Sequence, residues 1–164
     1  MTEINGPANE VSWHDNLIYA IHLQGADPDR GIWRSNLVLD IDHIVEWICG
    51  ADRGENTSVS FLVAPATLVF HDVSDLKINV DFAASEHRIN VNELSIAQIV
   101  REPVERLAAA GAPPYYAWRI ELNLPEGGEI GFGATGYTQT LRAEPRNLEE
   151  QRLPPDDRSP MILP

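Results

Sequence analysis

Apolar and polar side chains alternate residue by residue in several separate stretches of this chain, and that alternation restricts the fold more than anything else in it. Leu76, Ile78, Val80 and Phe82 are interleaved with Lys77, Asn79 and Asp81. Trp118, Ile120, Leu122 and Leu124 are interleaved with Arg119, Glu121 and Asn123. A period of two puts each set on its own face of an extended strand, so both stretches predict strands with one dry and one wet side. Leu37, Leu39 and Ile41 against Asn36, Val38, Asp40 and Asp42 predict a strand from Ile32 or Trp33 to about Ile44. Leu17, Tyr19, Ile21 and Leu23 against Ile18, Ala20 and His22 predict another, which its sequence neighbour would join as a long-looped hairpin.

Ala66 to Phe82 is the stretch around which the remaining strands are expected to assemble. Leu68 and Phe70 lie on one side and Val69 and His71 on the other, so its first half reads as an evenly buried, central strand. Val73-Ser74-Asp75 has the short polar side chains of a tight connection, and an antiparallel hairpin with the Leu76–Phe82 strand is the expectation. Val59 to Val63 reads as a short strand that Pro65, lacking an amide hydrogen, separates from the hairpin. Pro125-Glu126-Gly127-Gly128 is a hairpin connection, and Gly131, Gly133 and Gly136 in the return strand to Leu141 mark a bulge, a bend or a close backbone approach.

Other stretches are less regular. Val45 to Gly50 fits a continuation of the strand before it or one covered turn, and Leu94 to Val100 fits a helix or a bulged strand. Ala83 to Glu86 reads as a turn and Arg88 to Val91 as a strand. Pro103 followed by Val104 to Ala110 and then Gly111 has the proline-in, glycine-out pattern of a short helix. The expected fold is mainly β: a single-domain antiparallel sandwich or partly open barrel with one or two short helices. Residues 1–12 read as a loosely attached lead, 13–143 as the β domain and 144–164 as a proline-rich tail extended over the surface, with a turn around Asn147 to Gln151.

At 164 residues, one domain buries roughly 68–70% of the surface of its unfolded chain and needs no covalent staple. The single cysteine, Cys49, has no intramolecular partner, and the start of the chain lacks a basic, apolar leader, so a reduced cytoplasmic setting is expected. No segment approaches the ~18 apolar residues of a membrane-spanning helix. Acidic residues number 25 against 12 Lys and Arg, a net charge of −13. Such a surface repels phosphate backbones and anionic lipid, which disfavours nucleic acid and membrane as partners and favours a basic protein.

Three constellations hold chemically versatile residues. Trp13-His14-Asp15 places a histidine beside a carboxylate, but neighbours on a strand point to opposite faces, so a structural role with Trp13 plugging the core is expected. Asp40 and Asp42 share a strand face, with His43 next to them, and stand roughly 6.5–7 Å apart by strand rise, a spacing for a divalent ion, an acid/base pair or plain solvation. His71-Asp72 is the third. On the face of Leu68 and Phe70, Asp72 would need Arg88, Arg119 or Arg142 as a buried partner. His71 could join His22 and the two aspartates as a zinc or acid/base site, whereas separate hydrogen-bonded histidines are the commoner arrangement. No phosphate loop, H-E-x-x-H or G-x-S-x-G elbow occurs. Gly131 to Gly136 matches G-x-G-x-x-G within a strand that opens no helix, so no cofactor is expected.

Trp13-His14-Asp15-Asn16, the run ATLVFHDVSDL at Ala66 to Leu76, and GGEIGFGATGYTQTLR at Gly127 to Arg142 together resemble a group of small uncharacterised bacterial β-proteins over about Trp13 to Pro154. The opening and the core stretch are also similar to the immunity protein 50 family of bacterial polymorphic toxin systems. That second likeness implies a protein that binds and neutralises another, and the resemblance carries over no catalytic or binding residues. The expected function is therefore a non-catalytic, acidic binding protein of immunity type. The alternatives are a metal-dependent or acid/base hydrolase using His22, His71, Asp40 and Asp42, and a small-ligand carrier lined by Trp33, Trp47, Trp118 and Tyr137.

Overall fold

The strands expected from alternation form, and they belong to one antiparallel sheet folded over a single main core. The computed structural model describes residues 2–4, 12–49, 58–83, 94–105 and 113–158. Among these residues ten strands follow in chain order: β1 (Thr2–Ile4), β2 (Leu17–Gln24), β3 (Asn36–Cys49), β4 (Val59–His71), β5 (Ser74–Asn79), β6 (Leu94–Pro103), β7 (Tyr116–Leu124), β8 (Glu129–Ala134), β9 (Gly136–Leu141) and β10 (Arg146–Leu148). Their spatial order is β1-β9-β4-β3-β2-β6-β7-β8-β5, with β10 pairing β4, and the ends of the sheet do not meet. The helical content among the described residues includes the 3-10 turns Pro28–Arg30 and Pro155–Asp157, and no helix there is long and apolar enough to cross a membrane.

The fold follows from which faces are dry. Leu37, Leu39 and Ile41 of β3, with Ala66, Leu68 and Phe70 of β4, face Trp118, Ile120 and Leu122 of β7 and Ile130 and Phe132 of β8. Phe70 joins the two halves, its ring 5.1 Å from that of Trp118 and 4.7 Å from that of Phe132, both edge to face, a favoured aromatic geometry. Trp13 closes one side, its ring 5.3 Å from Tyr137 and its indole N–H donated to Gln139 Oε1 at 2.7 Å.

Several expectations change. β4 and β5 do not pair with each other: β4 runs between β3 and β9, and among the described residues β5 pairs only with β8. The chain instead turns from one half of the sheet to the other at Asp72 and Val73, while the return strand makes the same crossing at Thr135. Asp72 adopts a left-handed backbone (φ 56°) that aspartate tolerates, and Thr135 N–H donates to His71 O at 3.0 Å, fastening the two crossings together. β5 is consequently the edge strand on that side among the described strands. Leu76 and Val80 pack on the core, whereas Ile78, in register with buried Ile130, stays 48% exposed.

Pro65 does not interrupt β4. Its carbonyl accepts from Arg142 N–H at 2.8 Å, so its missing N–H faces the same side, in the gap between β9 and β10, and the ladder to β3 is untouched. In β2 a register shift between Ile18 and Ala20 inserts one residue, so Ile18 and Ile21 share the core face in place of a strict odd and even division. β3 begins at Asn36 rather than at Trp33 and runs unbroken to Cys49, which makes Val45–Cys49 a strand continuation. Leu94–Val100 is the bulged strand of the two readings, with shifts on both sides of Ile96. Pro103 ends β6, while most of the helix expected after it, and the strand expected at Arg88 to Val91, lie outside the described residues. Gly133 is the close approach anticipated in the return strand: a Cβ there would stand 2.5 Å from the Tyr115 hydroxyl.

Candidate functional site

From Leu37 to Ile44 β3 is buried on both faces, and its second face carries the aspartates. While Leu37, Leu39 and Ile41 enter the main core, Asp40 and Asp42 point to the opposite side of the sheet, where the chain after β9 crosses over them. That crossing brings its own cations. Arg142, just after β9, pairs with Asp40 and donates from Nη1 to Thr67 Oγ1 and from Nη2 to the Tyr19 hydroxyl, each at 2.9 Å. Arg158 donates to Asp42 Oδ2 from Nη2 at 3.0 Å, Leu153 N–H reaches the same oxygen at 3.0 Å, and the Arg158 guanidinium lies 4.4 Å from the Tyr19 ring centre. The β2 bulge brings Tyr19 and Ala20 to the Asp40 side of the strand pair.

Charge in this layer is balanced, two carboxylates against two guanidiniums. Burial pushes the Asp40 carboxyl above the usual carboxylate range against the opposing pull of Arg142. Burial raises the Tyr19 hydroxyl too, with the Asp40 and Asp42 charges adding to it. Asp42 is fully buried, and among the described residues its Oδ1 has no hydrogen-bond partner. An internal pair of this kind fixes the path of the chain segment that supplies the arginines.

His22, His71, Asp40 and Asp42 share this side of the sheet without forming one site. His22 is in register with Val38, and His71 Nε2 lies 3.0 Å from Thr138 Oγ1 while burial lowers its pKa. Both aspartates are held by arginines, and among the described residues no group of three or more His, Cys, Asp and Glu side chains could hold a metal ion. His43 is buried near Asn16, whose Nδ2 donates to His43 Nδ1 at 2.8 Å while its Oδ1 accepts from Ile44 N–H at 3.1 Å. Burial lowers the His43 pKa to about 4.

Two sequence expectations about pairs are revised. His14 and Asp15 lie in a turn, not a strand, and the left-handed backbone of Asp15 (φ 62°) brings its Oδ2 within 3.1 Å of His14 Nδ1. Among the described residues Asp72 pairs with neither Arg119 nor Arg142, and Arg88, the third partner expected, lies outside them. Asp72 stands at a corner rather than in the core, bonded by Thr135 Oγ1 at 2.9 Å and 3.4 Å from Arg34. The tail was expected to lie over the surface, but the pairing of Arg158 with Asp42 was not, because nothing local distinguishes an arginine that returns to a strand more than a hundred residues earlier.

The outer surface is the other candidate. Seven arginines among the described residues lie within ion-pair distance of a carboxylate: Arg30, Arg34, Arg119, Arg142, Arg146, Arg152 and Arg158. Among the described residues large apolar side chains are exposed at three places: Leu23, Ile32 and Trp33 around the β2–β3 connection, Val45, Trp47 and Val59 toward the far end of the β3–β4 hairpin, and Ile78 alone on β5. Trp118 and Tyr137 are core residues while Trp33 is 76% and Trp47 47% exposed, so these four aromatics do not line a common interior. A cleft of about 470 Å³ lies beside the hairpin, bordered by Asp15, Leu17, Phe61, Leu124, Glu149 and Glu150 among others. Comparison with known proteins gives no match to a protein-family model, to a curated protein or to a solved structure.

Proposed function

We propose that this is a non-catalytic binding protein that captures a basic protein in the cytoplasm, in the manner of an immunity inhibitor acting on a cationic toxin or enzyme. The observation that carries the reading is the placement of charge. Asp40 and Asp42 are neutralised inside by Arg142 and Arg158, and most other described arginines are matched by neighbouring carboxylates. The net charge of −13 therefore has little local cationic counterweight and acts outward. Such a field steers a cationic partner and raises its association rate, and it disfavours phosphate backbones and anionic lipid. The resemblance of the Trp13-His14-Asp15 opening and of the Ala66–Leu76 stretch to immunity protein 50 agrees with a partner-neutralising role.

The test is retention on immobilised full-length protein from a lysate of its own source, followed by elution with a salt gradient. Basic proteins should be held at low salt and released as ionic strength rises. An immunity role further requires that co-expression relieve the growth defect caused by the product of a neighbouring toxin gene. Failure to retain any basic protein at low salt overturns the reading.

A further inference from the structure

The β3–β4 hairpin extends past the rest of the sheet. β2 pairs with β3 only as far as Asp42, β9 pairs with β4 from Ala66 to His71, and β10 pairs with β4 at Phe61–Val63. Among the described residues, Ile48–Cys49 and Val59–Ser60 therefore pair only with each other, and an isolated two-stranded ribbon is weakly stable by itself. Its register puts Trp47 opposite Phe61 and Cys49 opposite Val59, so these four share one face. Phe61 and Val63 on that face are covered by the tail through Leu148 and Leu153, whereas Trp47 and Val59 are left open. Trp47 is not loosely placed: its ring stands edge to face on Phe61 at 4.9 Å.

Phe61 also borders the cleft of about 470 Å³, so the open apolar face and the cleft share a residue. Leu17 and Leu124 supply apolar lining there, and Asp15, Glu149 and Glu150 supply negative charge. Arg152 lines it as well, but its guanidinium lies 3.0 Å from Glu150. The Asp15 carboxylate is held in place by Asn123 Nδ2 at 2.8 Å and Gln151 Nε2 at 3.2 Å.

We infer that this surface is where the proposed basic partner docks, through an extended segment that sets an apolar side chain on Trp47 and Val59 and an arginine or lysine in the cleft. The inference rests on the proposed function and names its surface. The aliphatic stem of the cation lies along Leu17 and Leu124, and its charge meets Asp15 and Glu149. Alternate residues of an extended chain face the same way at roughly 6.5–7 Å, which suits an apolar residue and a cation two positions apart. Charge complementarity selects a cationic occupant over a second copy of this chain, since two copies would each bring −13 and the same acidic cleft.

The experiment titrates the ¹⁵N-labelled full chain at low salt with two blocked nonapeptides, one alternating leucine and arginine and the other leucine and glutamate. Shifts should concentrate at the Trp47 indole, Val59, Glu149 and Glu150, for the arginine peptide only. Trp47→Ala and Val59→Ser should each weaken binding, Trp47→Ala by on the order of tenfold or more, as expected of an exposed aromatic anchor. Glu149→Lys should weaken the arginine peptide and flatten its salt dependence, and Trp33→Ala should leave binding unchanged. Val59→Ser has no ring packing to lose, so it keeps the test decisive if Trp47→Ala fails to fold. Equal binding of both peptides, or self-association lost on Trp47→Ala, overturns the inference. Shifts of the arginine peptide confined to the Leu23, Ile32 and Trp33 end overturn it while leaving the proposed function standing. Absence of binding by both the peptide and any basic protein removes the two together.

Discussion

The Arg142 guanidinium meets the Asp40 carboxylate on the side of the sheet turned away from the main core, with 5% of the arginine side chain and 9% of the aspartate exposed. A dry charged pair is costly to break from one side, because the partner left behind stays buried and unpaired. Arg142→Ala should therefore lower unfolding free energy by about 3–5 kcal/mol, read from urea denaturation. The double variant Asp40→Leu/Arg142→Met, which removes both charges, should recover most of that loss. A double variant as unstable as the single one would show that the arginine acts through Thr67 and Tyr19 rather than through Asp40.

His43 makes stability depend on pH. Its folded pKa is lowered to about 4 by burial, from an unfolded value of 6.5. Between those values the unfolded chain takes up a proton that the native state refuses, so stability is present above pH 6.5 and lost as pH falls toward 4. The full span is about 3 kcal/mol. Asp40, whose folded pKa is raised, contributes with the opposite sign, losing stability as pH rises through that value. The comparison to make is thus urea midpoints of the native chain and His43→Gln across this range, and the histidine's share of the slope should be missing from the variant.

Gly133 should not accept a side chain. A Cβ there would lie 2.5 Å from the Tyr115 hydroxyl and 2.7 Å from its ring, while Tyr115 is tied to Ser74 Oγ at 2.6 Å. Gly133→Ala is expected to cost about 1–3 kcal/mol of stability by overpacking. In a Tyr115→Ser background the same substitution should cost far less, and the coupling can be measured with a double-mutant cycle.

Leu153 anchors the crossing tail. It is 1% exposed among Ile44, Phe61 and Val63, and its N–H satisfies Asp42 Oδ2. Leu153→Ala should cost about 2–5 kcal/mol. Amide exchange should also speed up in β10 and at Leu153 relative to β7, since the small core loses its cover before the main one does.

Alternation found the strands because the pleat sorts side chains by parity wherever one face is dry and the other wet. Tyr116–Leu124 matches β7 for that reason, and Leu37, Leu39 and Ile41 were recognisable as core residues. The same rule misled where a second layer of chain covers the wet face. Asp40 and Asp42 read like outward or metal-binding carboxylates, yet they are buried beneath a tail carrying their arginines. The single inserted residue in β2 moved Ile18 and Ile21 to a common face, a change that no periodicity reveals.

Most of the extended segments, the apolar faces of the regular ones and the strong acidity of the molecule were decided by the sequence, since backbone geometry and side-chain chemistry act locally, whereas Val45–Cys49, Leu94–Val100 and Thr2–Ile4 became strands only through their neighbours in the sheet. Which strands became neighbours was decided by the tertiary structure. Ala66 to Phe82 carries the residues of a hairpin, but Phe70 packs against Trp118 and Phe132, and the chain accordingly continues across the core instead of folding back on itself. The pairing of Asp40 with Arg142 and of Asp42 with Arg158 likewise exists only once the tail is laid over the sheet, because ions distant in sequence are brought together by packing and not by local preference.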